Sequence, residues 1–186
     1  MIAIMSKPLI ELLRALPASE RHYLAGKRIF RQGDKVLVLH QVLEGNVHLV
    51  RHNIDGRALV LQRATGHAIV AEASIFAERY HCDGVAVLPT RTRAVDKSVL
   101  AAALARDPNL ASAWAEYLAR EVQAVRLRAE ILSLRTVAER LDAWVAMNAR
   151  QFPTKGRWKT VAAEIGTSPE ALYREIAKRR KRLTVS

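Results

Sequence analysis

Residues 156–182 read GRWKTVAAEIGTSPEALYREIAKRRKR. The spacing predicts two short helices joined by a tight turn. Val161, Ala162 and Ile165 share one face of the first helix, and Leu172 and Ile176 share one face of the second. Gly166 stands where a sharp helix-to-helix turn needs a residue that tolerates positive φ. The run Thr167-Ser168-Pro169-Glu170 restarts the helix in one of two ways. Either Thr167 is the cap and Glu170 closes a capping box, or Ser168 is the cap and Pro169 takes the first helical position. With the apolar faces together, Pro169, Glu170, Tyr173, Arg174 and Lys178 point outward on the second helix. That is the layout of a helix-turn-helix whose second helix enters a DNA major groove. The plainer reading of the same residues is a helical hairpin with a solvated charged end.

Charge supports the first reading. Ten Lys or Arg against three Glu lie between Arg150 and Ser186, which is +7 of the chain's formal +12. A basic surface concentrated in one short segment suits a polyanion, because each neutralised phosphate releases counterions. An anionic membrane surface competes for such a tail, but no apolar run reaches spanning length and the N-terminus lacks the features of a signal peptide. A cytoplasmic protein with no membrane partner is expected. Cys82 is the only cysteine, which leaves no disulfide framework and no cysteine-rich metal or iron–sulfur site.

Upstream, the pattern changes twice. Residues 8–16 (PLIELLRAL) form a short amphipathic helix. From Arg28 to Asp96 come short Val-, Leu- and Ile-rich strands separated by turn residues. The sharpest of these turns is Asp55-Gly56, between the strands at 47–52 and 57–62. Strands at this spacing with no helix between them predict an antiparallel barrel or jelly roll. A single helical turn is expected in Glu72–Arg79. From Lys97 the chain is helical. Ser98–Ala105 stops at Asp107-Pro108, a long helix runs from Asn109 to about Leu134, and another spans Thr136–Arg150. On the long helix Leu118, Val122, Val125, Ala129 and Leu132 form a heptad seam expected to meet the same helix of a second chain. Leu127, Ile131 and Leu134 form a second stripe, expected to pack on the β domain. The fold class is α+β, in three segments: a barrel (1–108), a long dimerisation helix (109–134) and a helix-turn-helix domain (135–186).

This order, together with Arg28–Asp34 (RIFRQGD), Val42–Val47 (VLEGNV), Asp55-Gly56-Arg57, Glu72–Phe76 (EASIF) and Ala163–Glu170 (AEIGTSPE), resembles the Crp/Fnr superfamily of bacterial transcription regulators. The resemblance implies a homodimer on a near-palindromic double-stranded DNA site, with RNA polymerase as a further candidate partner. Among cyclic-nucleotide binders of the family a Gly-Glu-Leu-Gly loop followed by Arg-Ser-Ala holds the ribose and cyclic phosphate. Here the loop is Ala71-Glu72-Ala73-Ser74, and the second part, around Tyr80–Ala86, has no Arg; Arg79 is offset. Without the guanidinium a cyclic phosphate loses its bidentate partner, so no cofactor and no cyclic nucleotide is expected. The candidate effector pocket is Ala71, Glu72, Ala73, Ser74, Arg79, His81 and Cys82, with the effector unknown. Members of the superfamily usually carry a β-hairpin wing after the recognition helix; here the chain ends in Lys178–Arg182 and four further residues.

On the matching positions Ser168, Glu170 and Arg174 are candidates for base-edge contact, with Pro169 replacing the family's arginine. Thr167, Tyr173, Lys178 and Lys181 are candidates for phosphates. Strand alternation is expected to put His81 and Asp83 on one face and Cys82 on the other, so no metal site is expected there. No catalytic constellation is present, and the protein is not expected to be an enzyme. The competing function is a small-molecule sensor or scaffold with a nonspecific basic tail.

Overall fold

The computed structural model describes residues 7–52, 54–56, 58–148 and 151–183. The chain divides between Arg120 and Glu121 into two compact units. The first begins with helix α1 (Lys7–Arg14) and continues through eight strands: β1 (Ser19–Tyr23), β2 (Arg28–Phe30), β3 (Val38–Glu44), β4 (Asn46–His52), β5 (Ala58–Thr65), β6 (Ile69–Val70), β7 (Asp83–Ala86) and β8 (Thr90–Asp96). A 3₁₀ turn at Glu72–Ser74 separates β6 from β7. All described pairings are antiparallel, in two four-stranded sheets ordered β1-β8-β3-β6 and β2-β7-β4-β5. This is the expected jelly-roll barrel with helices appended.

Two cores explain the patterning. Leu9 and Leu13 of α1 pack with Leu39, Ile69 and Val95 of the first sheet. They are joined by Leu100 of α2 (Lys97–Arg106) and by Leu110, Trp114 and Tyr117 of α3 (Pro108–Ser133). Phe30, Val42, Val47, Leu49, Ala64, Tyr80 and Cys82 fill the space between the sheets. Covered by helices on one side and barrel on the other, β3 is buried from Leu39 to Val42 and shows no polar alternation. Strand β1 (SERHY) is the element the sequence pattern misses. It is an almost fully exposed edge strand with no apolar face, and is held by pairing to β8 and by Arg91, which bridges Glu20 (2.9 Å) and Glu44 (2.6 Å). Asp107 both ends α2 and starts α3, because its Oδ1 accepts from the N–H groups of Asn109 (2.9 Å) and Leu110 (3.3 Å).

The sequence reading of α3 needs two corrections. Leu118 packs against the first core, so it does not belong to a free seam. The exposed seam is Val122 (48%), Val125 (65%) and Leu132 (39%), together with exposed Ala129. The second stripe does not serve the β domain. Ile131 is buried in the core of the second unit, with Leu141, Trp144, Val161, Ala162, Ile165, Leu172 and Ile176.

His40 on β3 is buried, its Nδ1 3.2 Å from Thr92 Oγ1. Burial, with a smaller contribution from Arg21, lowers its pKa to about 4. The folded protein therefore keeps His40 neutral in a range where the unfolded chain takes up a proton. The stability this confers is complete above pH 6.5 and is lost as pH falls from 6.5 toward 4. At about 1.4 kcal/mol per pH unit, the loss approaches about 3 kcal/mol at the lower end. Urea denaturation at pH 7 and at pH 4.5 measures it, and His40→Gln should flatten that pH dependence; an unchanged slope would show that His40 is not its source.

Candidate functional site

In the second unit, α4 (Val137–Met147) begins with a capping box between Thr136 and Glu139. Then come a 3₁₀ turn at Lys155–Arg157, α5 (Trp158–Glu164) and α6 (Pro169–Leu183). Of the two caps open to sequence reasoning, Ser168 is the one used: its Oγ accepts from the Ala171 N–H at 3.1 Å, with Pro169 at the first helical position. Gly166 has φ +63, and a β-carbon there would overlap the Leu132 side chain. The positive φ of the sharp turn is what favours glycine, since the Leu132 methyl is the free end of a partly exposed side chain and can move aside. Leu172 and Ile176 on α6 pack on Val161, Ala162 and Ile165, and Trp144 Nε1 donates to Glu164 at 2.7 Å. Each such buried aliphatic side chain contributes about 1.5–3 kcal/mol, fixing which face of α6 is turned in.

The face turned out carries exposed Ser168, Glu170, Arg174 and Lys178, with Thr167, Pro169 and Tyr173 half-buried. The Tyr173 ring lies 5.1 Å from that of Trp158, whose Nε1 donates to the Pro153 carbonyl. Among the described residues no ion pair joins Glu170 to Arg174, four apart on the same helix. The side chain of Lys181 lies outside the described residues.

Arg179 departs from the expected solvated basic run. It pairs with Asp142, donates to Glu175 Oε1 (2.7 Å) and to the Ala138 carbonyl (3.0 Å), and lies 5.9 Å from the Phe152 ring. Hydrogen bonding to Asp142, reinforced by Glu175, outweighs burial and raises its pKa. It ties α6 to α4 and is turned away from the exposed ridge. Arg180, by contrast, is exposed and sits 5.4 Å from the Trp158 ring. Sequence reasoning also missed Arg140. Its guanidinium donates to the carbonyls of Leu132 (3.2 Å), Leu134 (2.8 Å), Ile165 (3.3 Å) and Gly166 (3.0 Å). One side chain thus satisfies carbonyls at the end of α3 and at the helix-turn-helix turn. Only the Glu175–Arg179 pair has an i,i+4 spacing that sequence could signal. Asp142 and Ala138, which draw Arg179 to α4, and the carbonyls of Ile165 and Gly166, which Arg140 reaches, lie 25 or more residues away.

In the barrel, Ala71 adopts φ 60 and is buried with Ser74, whose Oγ lies 3.0 Å from His81 Nδ1. Arg79 is not brought to this loop: its Nη1 donates to the Gly33 carbonyl at 2.7 Å. Cys82 is buried between the sheets, and burial pushes its thiol pKa up. The expected alternation of His81, Cys82 and Asp83 does not hold. His81 and Cys82 lie in a bend before β7, where His81 is exposed and both Cys82 and Asp83 are buried. Phe30 and Tyr80 stack at 3.8 Å across the barrel interior.

Residues 20–107 match the cyclic nucleotide-binding domain family. Three solved structures share the architecture over most of the chain. FixK2 from Bradyrhizobium japonicum superposes with a TM-score of 0.70 at 18% identity, covering 90% of this chain and 86% of that one. The c-di-GMP-responsive global regulator CLP of Xanthomonas campestris gives 0.65 at 18% identity, covering 95% and 92%. The Thermus thermophilus catabolite activator protein gives 0.58 at 26% identity, covering 96% and 85%. No curated protein matches the sequence. The barrel is thus a cyclic nucleotide-binding-type domain, and the chain as a whole has the fold of the transcription regulators of the Crp/Fnr superfamily. No helix among the described residues is long and apolar enough to cross a membrane.

Proposed function

We propose that the protein is a homodimeric transcription regulator that reads a near-palindromic DNA site with α6 and does not depend on a cyclic nucleotide. The observation that carries this is the ridge of Ser168, Glu170, Arg174 and Lys178. It is exposed on a helix whose opposite face is locked by Leu172, Ile176 and Arg179. In the major groove, Arg174 suits the bidentate acceptor pair of a guanine, Glu170 can accept from a cytosine amino group, and Thr167, Tyr173, Lys178 and Lys181 serve phosphates. Two such helices in a dimer enter successive major grooves about one helical turn apart. RNA polymerase is a further partner on this reading. Independence from cyclic nucleotides is supported by the burial of Ala71, Ser74 and Cys82 and by the engagement of Arg79 with Gly33.

A gel shift against genomic fragments, with excess random competitor and with and without cyclic AMP, tests the proposal. Selective retention of fragments, unchanged by cyclic AMP, is the expected result. Competitor-sensitive smearing alone would favour a scaffold with a nonspecific basic tail. Arg174→Ala should cost about 1–3 kcal/mol on the best site and relax sequence preference at one position of each half-site. Equal binding of selected and random DNA before and after the change would remove α6 from the recognition role. Neutralising Lys178 and Arg180 together should weaken all DNA about equally and lower the salt slope by about 2 per subunit, one for each phosphate no longer neutralised.

A further inference from the structure

The barrel carries a depression that the regulator reading leaves unused. It lies at β2, β4 and β7, has a volume of about 660 Å³, and is lined by Lys27, Arg28, Arg31, Asp34, His52 and Asp83 above apolar Val50 and Val85. It shares no residue with the loop at Ala71–Ser74 or with Arg79, His81 and Cys82.

Its two carboxylates are already engaged by the protein. Asp34 Oδ2 accepts from the Arg31 N–H at 2.9 Å. Asp83, whose side chain is only 12% exposed, accepts from the Gln32 N–H at 2.7 Å and faces Arg28 Nε at 3.3 Å. Asp83 thereby sets the orientation of the Arg28 guanidinium by one edge, leaving the Nη groups to donate elsewhere. Among the described residues, no hydrogen bond or ion pair engages the head group of Lys27 or Arg31. Three cations thus stand around one concave surface against two carboxylates. Asp83 faces Arg28 and Asp34 is turned to the main-chain N–H of Arg31, leaving the head groups of Lys27 and Arg31 uncompensated by a direct partner among the described residues. Like charges gathered this way repel, and an anion bridging them relieves the repulsion. The volume lies in the range of small-molecule sites, roughly 300–1,000 Å³, and Val50 and Val85 offer an apolar wall that a bare polyanion would not use.

The geometry points to a binding site for a small, multiply charged phosphate compound at this depression, with Arg28 as the bidentate anchor and Lys27 and Arg31 as flanking charges. The site is independent of DNA recognition and can fail or hold separately from it.

The test is titration of the full-length ¹⁵N-labelled protein, without DNA, with inorganic pyrophosphate and separately with ADP. Saturable amide shifts at Gly26–Arg31 and Asp83–Val85 are expected. Tighter binding of ADP identifies a nucleotide ligand, and equal affinity a phosphate recognised by charge alone; either supports the site. Lys27→Gln combined with Arg31→Gln should weaken binding at least tenfold without moving the thermal midpoint, since neither head group holds the fold. Arg28→Lys, which keeps the charge and loses the planar fork, should weaken it as well. Shifts confined to residues 158–182, or wild-type affinity in both variants, would overturn the proposal.

Discussion

Val125→Glu is expected to convert the proposed homodimer to a monomer and to weaken the proposed binding to selected DNA fragments by about a hundredfold or more. Val125 is the most exposed of the large apolar residues of the α3 seam, at 65%. It belongs to neither the core around Trp114 and Tyr117 nor the one around Leu141 and Trp144. Val122, Val125, Ala129 and Leu132 recur at steps of three and four, so a two-fold partner would bring the same positions face to face. Burying a valine there contributes about 1.5–3 kcal/mol per subunit, whereas two facing carboxylates lose that gain and must be desolvated unpaired. A monomer keeps one recognition helix and one half-site, and with it the nonspecific phosphate term, but not the gain from linked half-sites. Analytical ultracentrifugation reads the first effect and a quantitative gel shift the second. Val125→Leu, which keeps the seam apolar, should preserve both. An unchanged sedimentation coefficient in Val125→Glu would place the dimer contact elsewhere.

What the sequence made legible follows the range of the interactions concerned. The helix-turn-helix is written in short-range terms: apolar residues at helical spacing, Gly166 for the turn, Ser168-Pro169 for the restart. The structure uses each of them. The β4–β5 hairpin, which brackets Asp55-Gly56, is local in the same way. Strand β1 was hidden because an edge strand with two wet faces carries no alternation, and its reason for being extended is a partner some seventy residues away. Arg179 shows the same limit from the other side. In sequence it is one of five consecutive basic residues; in the fold, Asp142, Glu175 and Ala138 take it out of the charged surface. Leu118 and Ile131 fall into stripes by their period alone. Period says which residues share a face of α3, not what covers that face. For the effector loop, the lost Arg was visible in sequence, but the burial of Cys82 and the turning of Arg79 toward Gly33 depend on the barrel's own packing.

Gly45→Ala should destabilise the barrel by about 3 kcal/mol or more, enough to leave a marginally stable domain partly unfolded. Gly45 joins β3 to β4 with φ +88, outside the range most side chains adopt readily, which alone costs about 1–2 kcal/mol. The larger cost is steric. A β-carbon at this position would overlap the Pro89 carbonyl oxygen and lie 2.7 Å from Thr90 Cα. Those atoms are backbone, and Thr90 is pinned: its Oγ1 donates to the Leu88 carbonyl at 2.8 Å and accepts from the Asn46 N–H at 3.2 Å. Relief would therefore require the turn from β3 to β4, which passes from one sheet to the other, to separate from the start of β8, disturbing pairing in both sheets. Gly33 is the internal control, since it has the same φ of +88 but nothing within 4 Å of its would-be β-carbon. Gly33→Ala should cost only the backbone strain, about 1–2 kcal/mol. Paired urea denaturation of the two variants separates conformational strain from close approach. If Gly45→Ala and Gly33→Ala shifted the midpoint equally, the contact of Gly45 with Pro89 and Thr90 would not be what requires glycine at that turn.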